Sequence, residues 1–263
     1  MKKIAVITGG SSGIGLATVN ELVLAGYTVY ELSRRDTQSG KNVVHIKTDV
    51  TDRDSLKEAI DTAAAAGKIS ALICCAGGGI SGAVEFTDEA EAKRLFDLNF
   101  FGVVSAVRAA IPHMRKAGGG NIVIVSSVAA ALPIPFQVYY SATKASLNAF
   151  ALSLANEVAP FGIGVCAVMP GDIKTGFTDS RKKLHEGDDI YCGRIARSVG
   201  AMEKDERNGV SPESAGKFIC ALAGRKKLKP LCVIGVKYKL FVLASRLLPV
   251  SFVNKIVGLL YAK

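Results

Sequence analysis

Residues 4–15 read IAVITGGSSGIG. A short run of apolar, strand-favouring residues enters a cluster of four glycines and two serines, and a helical pattern leaves it. The run at 4–8 has the composition of a buried strand. Gly9 lets the chain turn sharply, Gly13 lets a bound group approach the backbone, and Gly15 lets the helix pack closely on the strand. The helix N-terminus then offers free N–H groups and the positive end of its dipole, which suits a phosphate. An ordinary strand–helix turn also uses glycine, so the rest of the chain must decide.

Outward from this turn the same alternation repeats. Strand patterns at 28–33, 43–48, 70–76, 121–127, 164–170 and 231–236 are separated by helical patterns near 53–66, 88–117 and 139–159. Ser211-Pro212-Glu213 has the form of a helix start, with serine as cap and proline in the first turn. Strands that are apolar on both faces and alternate with helices imply a parallel sheet covered on both sides. Such a sheet binds ligands at the carboxyl ends of its strands, near the point where strand order reverses. The expected architecture is α/β: one doubly wound domain over residues 1–236 with seven parallel strands. Residues 176–210 are polar, charged and weakly periodic, and read as an insertion forming a lid over one end of the sheet. Residues 237–263 read as an apolar, basic extension.

Composition narrows the function. Apolar residues make up 49% of the 263 residues, enough for a large core. The run after Met1 is too short for a secretory signal, so a cytoplasmic protein is expected. The cysteines, 74, 75, 166, 192, 220 and 232, and the three histidines have neither zinc-ligand spacing nor a disulfide framework, so no metal is expected. The net charge of +10 is uneven: residues 225–263 hold nine Lys or Arg and no Asp or Glu, and the remaining 224 hold 24 basic and 23 acidic residues. A broad basic face for nucleic acid is therefore not expected.

The end of the second strand distinguishes dinucleotides. An NAD site calls for an acidic residue there. This chain has Ser33, Arg34 and Arg35, with nothing acidic at the tip until Asp36. Arginine forks suit a 2′-phosphate, so the expected cofactor is NADP(H). Asp49, ending the third strand, suits either a bond from an adenine amino group or the cap of the next helix.

The pair in YYSATK, residues 139–144, supplies the candidate chemistry. Tyr140 and Lys144 are four apart and share a helix face, whereas Tyr139 points about 100° away. A nearby ammonium is expected to lower the tyrosine pKa and fit it to exchange a proton with a carbonyl or alcohol oxygen. Ser127 ends a strand thirteen residues earlier and can bond the same oxygen. Asn99 lies within a helical stretch where asparagine is a poor choice without a role. PGDIKT, 170–175, follows the sixth strand, where it can hold the nicotinamide end.

Taken together, these segments resemble the short-chain dehydrogenase/reductase family across roughly residues 3–236. TGGSSGIG resembles its TGxxxGxG loop, LNFFG carries its asparagine as Asn99, VSSV its serine as Ser127, YSATK its YxxxK, and PGDIKT its PGxxxT. The resemblance implies a Rossmann-type fold and catalysis by Asn99, Ser127, Tyr140 and Lys144. Tyr140 would protonate the ketone oxygen and Ser127 polarise it. Lys144 would hold the nicotinamide ribose, and Asn99 a water leading from Lys144 to solvent. The cofactor is implied to lie against Gly9, Ser11, Ser12, Gly13, Ile14 and Gly15, then Ser33, Arg34, Arg35, Asp49 and Val50. Further contacts are implied at Ala76, Gly77, Tyr140, Lys144, Pro170, Gly171, Ile173 and Thr175. One motif departs: Cys74-Cys75-Ala76-Gly77 stands where the family has NNAG, so altered local bracing is expected.

The extension is divided by Pro249 into two amphipathic helical segments, and Arg246 and Lys255 interrupt any run long enough to span a bilayer. It can cover the cleft or pack in a dimer, lie on an anionic membrane, or attract an acidic protein. A steroid- or lipid-like ketone or alcohol is the expected substrate, by similarity to the hydroxysteroid and retinol dehydrogenase branch. A 3-oxoacyl-thioester reductase is the alternative enzyme, and a non-catalytic NADP(H)-binding regulator the alternative of another class. Family members are usually homodimers or homotetramers, and the same is expected here.

Overall fold

Strand β1 (Lys3–Thr8) sends Ile4 and Val6 to one face of a sheet and Ala5 and Ile7 to the other, and all four are fully buried. Only a sheet covered on both sides accommodates that pattern. The computed structural model describes residues 3–262. From β1 the chain runs through α1 (Gly13–Leu24), β2 (Thr28–Ser33), β3 (Val43–Lys47), α2 (Arg53–Ala66) and β4 (Lys68–Cys74). A short strand β5 (Ile80–Ser81) precedes α3 (Glu89–Phe96) and α4 (Gly102–Lys116). Then come β6 (Gly120–Val125), α5 (Val138–Val158) and β7 (Ile163–Pro170). The expected insertion holds α6 (Phe177–Ser180), β8 (Lys182–Lys183) and α7 (Arg194–Arg207). The chain ends with α8 (Pro212–Ala223), β9 (Leu231–Ile234), α9 (Val236–Leu247) and α10 (Val250–Tyr261).

Seven strands form one parallel sheet in the order β3-β2-β1-β4-β6-β7-β9, and β5 pairs with β8 separately. The order reverses between β1 and β4, which opens a crevice at their carboxyl ends. Helices α2, α4 and α5 cover one face through Leu56, Ile60, Val107 and Leu147, while α1 and α8 cover the other through Leu22 and Ile219. This is the single Rossmann-type domain implied by the strand pattern.

Three local expectations are corrected. The helix over 88–117 is broken by a π turn, Asp97–Phe101, centred on Asn99, whose fully buried side chain is held from outside the helix. Helix α2 is capped by Asp52, which accepts from the amides of Asp54 and Ser55. Asp49 instead accepts from the amide and hydroxyl of Thr51 at 2.9 and 2.8 Å, closing a turn before the helix. The weakly periodic insertion contains the fourteen-residue α7, which buries Ile195, Ser198, Val199 and Met202. Those positions form a helical stripe, and the serine within it weakens the apolar signal. Residues 89–116 are long and apolar enough to cross a membrane by length, yet Val103, Ala106, Val107, Ala110 and Met114 among them lie in the sheet core.

Helices α1 and α8 touch at Gly216, where an added Cβ would lie 2.7 Å from the backbone carbonyl carbon of Ala17. Gly216→Ala must force the helices apart and should cost about 1–3 kcal/mol. A denaturant midpoint equal to wild type would show that the contact yields freely.

Candidate active site

The crevice is a cavity of about 1050 Å³, walled by the carboxyl ends of β1, β2, β4, β6 and β7 and roofed by the insertion and the final helices. Each position that the sequence assigned to the cofactor lines it, as do Ser127, Tyr140 and Lys144. Asn99 does not.

At one end lies the glycine turn. Gly9 has φ +70°, and a Cβ there would sit 2.7 Å from the backbone of Ala76; a Cβ on Gly15 would meet the Gly9 carbonyl at 2.1 Å. Gly13 has φ +54° and lines the cavity; the atoms nearest to a Cβ placed there belong to Thr175, at 3.4–3.9 Å. Ser12 caps α1 without a side-chain hydrogen bond. Its hydroxyl and the first-turn amides therefore remain suited to receive an anion.

The tip of β2 carries Arg34, 72% exposed and 3.9 Å from Asp49. An exposed pair at that separation holds little energy, so Arg34 is free to meet a better anion. The Ser33 hydroxyl turns inward to Glu31 Oε2 at 3.1 Å. Glu31 is buried and also accepts from Thr37, and its Oε2 lies 2.6 Å from His45 Nδ1. This carboxylate anchors the arginine-bearing loop from below; the sequence reading missed it because a glutamate inside a strand carries no sign of its partners.

On the opposite wall, Asn99 Oδ1 accepts from the Gly78 amide at 2.8 Å, while its Nδ2 donates to the Gly78 carbonyl at 3.0 Å and to Thr143 Oγ1 at 3.1 Å. The amide that braces the loop after β4 thus comes from the π turn, in a chain whose loop has cysteines where amides are usual. Asn99 Oδ1 and Lys144 Nζ lie against the same face of Gly77, 3.1 and 3.7 Å from the position of an added Cβ. Burial pushes the Cys75 thiol up to about 12 and raises Cys74 as well. Both stay neutral, without the thiolate that redox chemistry needs.

The two serines divide their work. Ser126 Oγ donates to the Lys144 carbonyl at 3.0 Å and pins α5 to β6. Ser127 Oγ accepts from the Ala129 amide at 3.1 Å and lines the cavity, as does Tyr140. Tyr140 lines the cavity and Tyr139 does not, as their helix positions require. The electrostatics differ from expectation. Burial raises the Tyr140 phenol to about 12, with Ser127 and Arg181 pulling it down only in part. Lys144 is itself lowered to about 8 by burial and donates to the Val125 carbonyl at 2.9 Å. Its ammonium lies 5.6 Å from the Tyr140 ring centroid and does not depress the phenol.

The insertion reaches Tyr140 through Phe177, whose ring centroid is 5.7 Å away. Behind it Arg181 is buried against Glu206, which also accepts from Thr178 at 2.7 Å. The final helices close the roof. Tyr238 of α9 covers Gly171 and donates to Asp172, and Tyr261 of α10 donates to Asp205 at 2.9 Å. Asp172 was visible within PGDIKT, but neither tyrosine could be assigned a partner from spacing alone.

Known proteins are similar to this chain. The family model described as short chain dehydrogenase matches residues 3–186. A 3-ketodihydrosphingosine reductase of Bacteroides thetaiotaomicron is 40% identical over 227 residues, covering 85% of this chain and 84% of that protein. A short-chain dehydrogenase from Streptomyces avermitilis superimposes with a TM-score of 0.81 at 31% identity, covering 94% of this chain and 92% of that one. ElxO, solved with NADP bound, superimposes with a TM-score of 0.76 at 25% identity, covering 91% and 99%. A glycine turn at the switch point and a serine, tyrosine and lysine on one cavity wall thus accompany similarity along nearly the whole chain, which belongs to the short-chain dehydrogenase/reductase family of oxidoreductases.

Proposed function

We propose that this protein reduces a ketone on a long-chain, lipid-like substrate, using NADPH. The observation that carries the reading is the meeting of Ser127, Tyr140 and Lys144 on the wall of a cavity whose other end is the open glycine turn. The residues present fit the cofactor. Gly13, with its left-handed backbone, lines the cavity beside first-turn amides of α1 that no side chain caps, and Arg34 and Arg35 line it at the tip of β2, where they can pair with a 2′-phosphate. Bound NADPH would supply the hydride taken up by the carbonyl carbon. Tyr140 donates its phenolic proton to the carbonyl oxygen, and Ser127 donates a hydrogen bond to the same oxygen. Lys144, positioned by Val125, holds the cofactor ribose with its remaining N–H groups. Tyr140, raised to about 12 by burial, carries its proton at neutral pH, as the donor role in ketone reduction requires.

The substrate class rests on two further supports. Leu95, Leu98, Ile134, Phe177, Phe241 and Leu260 are among the residues that line the cavity, and they offer apolar surface to a hydrocarbon chain. The relative at 40% identity is named for a ketone on a lipid, which makes 3-ketodihydrosphingosine the first substrate to try.

NADPH oxidation should be followed with 3-ketodihydrosphingosine, steroid ketones and 3-oxoacyl thioesters in parallel. Turnover confined to the thioesters would remove the lipid-ketone reading. Tyr140→Phe should lower kcat about 10²- to 10⁴-fold, the usual worth of a positioned acid, while Tyr139→Phe stays within a few fold of wild type. Equal losses in the two variants would mean that the wrong tyrosine has been assigned.

Cofactor choice gives a separate test. Arg34→Asp should lower kcat/KM for NADPH about ten- to a hundredfold, as expected for losing a charge-assisted bond to phosphate, with NADH affected far less. Unchanged selectivity would refute the 2′-phosphate site.

The pH profile follows from Lys144. Its ammonium is present below about 8 and lost above it. Reduction should therefore decline as pH rises through about 8, well before Tyr140 ionises. A rate that stays flat to pH 10 would separate Lys144 from the reaction.

A further inference from the structure

Helices α9 and α10 bury little: within them only Val242 and Val257 are buried. Of the nineteen exposed large apolar side chains among the described residues, eleven lie between Val236 and Leu260. Val236 is 75% exposed, Leu247 77% and Val250 80%. So dense a group of apolar side chains marks a contact surface. Lys237, Lys239, Arg246 and Lys255 stand exposed among them, and the sequence from 225 to 263 holds no acidic residue.

The same two helices roof the cavity. Tyr238 and Tyr261 hold them down on Asp172 and Asp205, and Arg194 Nε donates to the Ala262 carbonyl at 2.7 Å. Phe241 and Leu260 line the cavity while remaining 45% and 63% exposed, so the cavity has an opening, or mouth, beside them. The mouth therefore opens within the apolar, basic face.

We propose that α9 and α10 form one docking face that seats on an anionic lipid bilayer, with the cavity mouth between Phe241 and Leu260 turned toward the lipid. Each helix has twelve residues and is about 18 Å long at 1.5 Å per residue, too short to span the membrane. The apolar side chains enter the boundary between head groups and acyl chains, and the lysines and Arg246 meet anionic head groups. A second copy of the chain fits less well, because a twofold contact would bring two wholly basic faces together. An acidic protein would satisfy the charge but would have to cover a broad apolar surface as well. The placement of the mouth rests on the lipid-ketone reading above; the docking face does not, and it is tested without turnover.

Full-length protein should be sedimented with vesicles of phosphatidylcholine alone and of phosphatidylcholine with 30% phosphatidylglycerol, alongside the double variant Leu247→Asp/Val250→Asp. Both Leu247 and Val250 are more than three-quarters exposed and neither lines the cavity; a circular dichroism spectrum matching wild type is required of the variant before binding is compared. The expected result is at least tenfold tighter binding to the anionic vesicles than to phosphatidylcholine alone. The variant should lose at least tenfold on the anionic vesicles, and raised salt should weaken wild-type binding. Wild type that stays in the supernatant, or a variant that binds equally well, overturns the proposal. So does a wild-type oligomer that ignores vesicles and dissociates in the variant, which would assign the face to a second copy. Vesicle binding without reduction of any lipid ketone would leave the docking face standing and remove the lipid-ketone reading.

Discussion

Where β1 and β4 diverge, no side chain fits. The backbones of Gly9 and Ala76 approach so closely that a methyl group on Gly9 would overlap Ala76, and a methyl on Gly15 would strike the Gly9 carbonyl. This contact brings the N-terminus of α1 and the loop after β4 to the same crevice. The other site elements are set relative to it. Asn99 ties that loop to α5 through Gly78 and Thr143, and α5 in turn carries Tyr140 and Lys144. The π turn that presents Asn99 interrupts a helix, and π turns tend to occur where a side chain has work to do outside its own helix.

Electrostatics in the crevice follow from dryness more than from pairing. Lys144 and Tyr140 share a helix face, yet burial moves their pKa values toward the neutral forms, one down to about 8 and the other up to about 12. The result is a proton held on oxygen, next to a weakened ammonium that is anchored on Val125. The Cys74–Cys75 pair illustrates the same rule, since burial keeps both thiols protonated and chemically quiet.

The two ends of the cavity have opposite characters. The cofactor end is polar and built from backbone amides, glycine and arginine. The far end is built from side chains of the insertion and the final helices, many of them apolar. Tyr238 fills the volume above Gly171 and joins Asp172, which ties the loop after β7 to the C-terminal roof. The roof is made of two short helices that carry apolar side chains outside as well as inside.

The strand–helix alternation, the seven-stranded parallel sheet and the cofactor turn were legible in the sequence, because burial of both strand faces and the demand for glycine are local. Tyr140 could be chosen over Tyr139 for the same reason: helix geometry alone separates them. The refinements came from contacts between distant residues. Asn99 meets a loop 21 residues away, and Tyr238 meets Asp172 across 66. The pattern of α7 was blurred by the serine in its buried stripe, and Glu31 gave no sign that it would support the arginine loop. Sequence spacing determined which residues share a face. Only the tertiary structure decided their protonation and partners, because desolvation and hydrogen bonding depend on everything that surrounds a group, and most of what surrounds these groups comes from elsewhere in the chain.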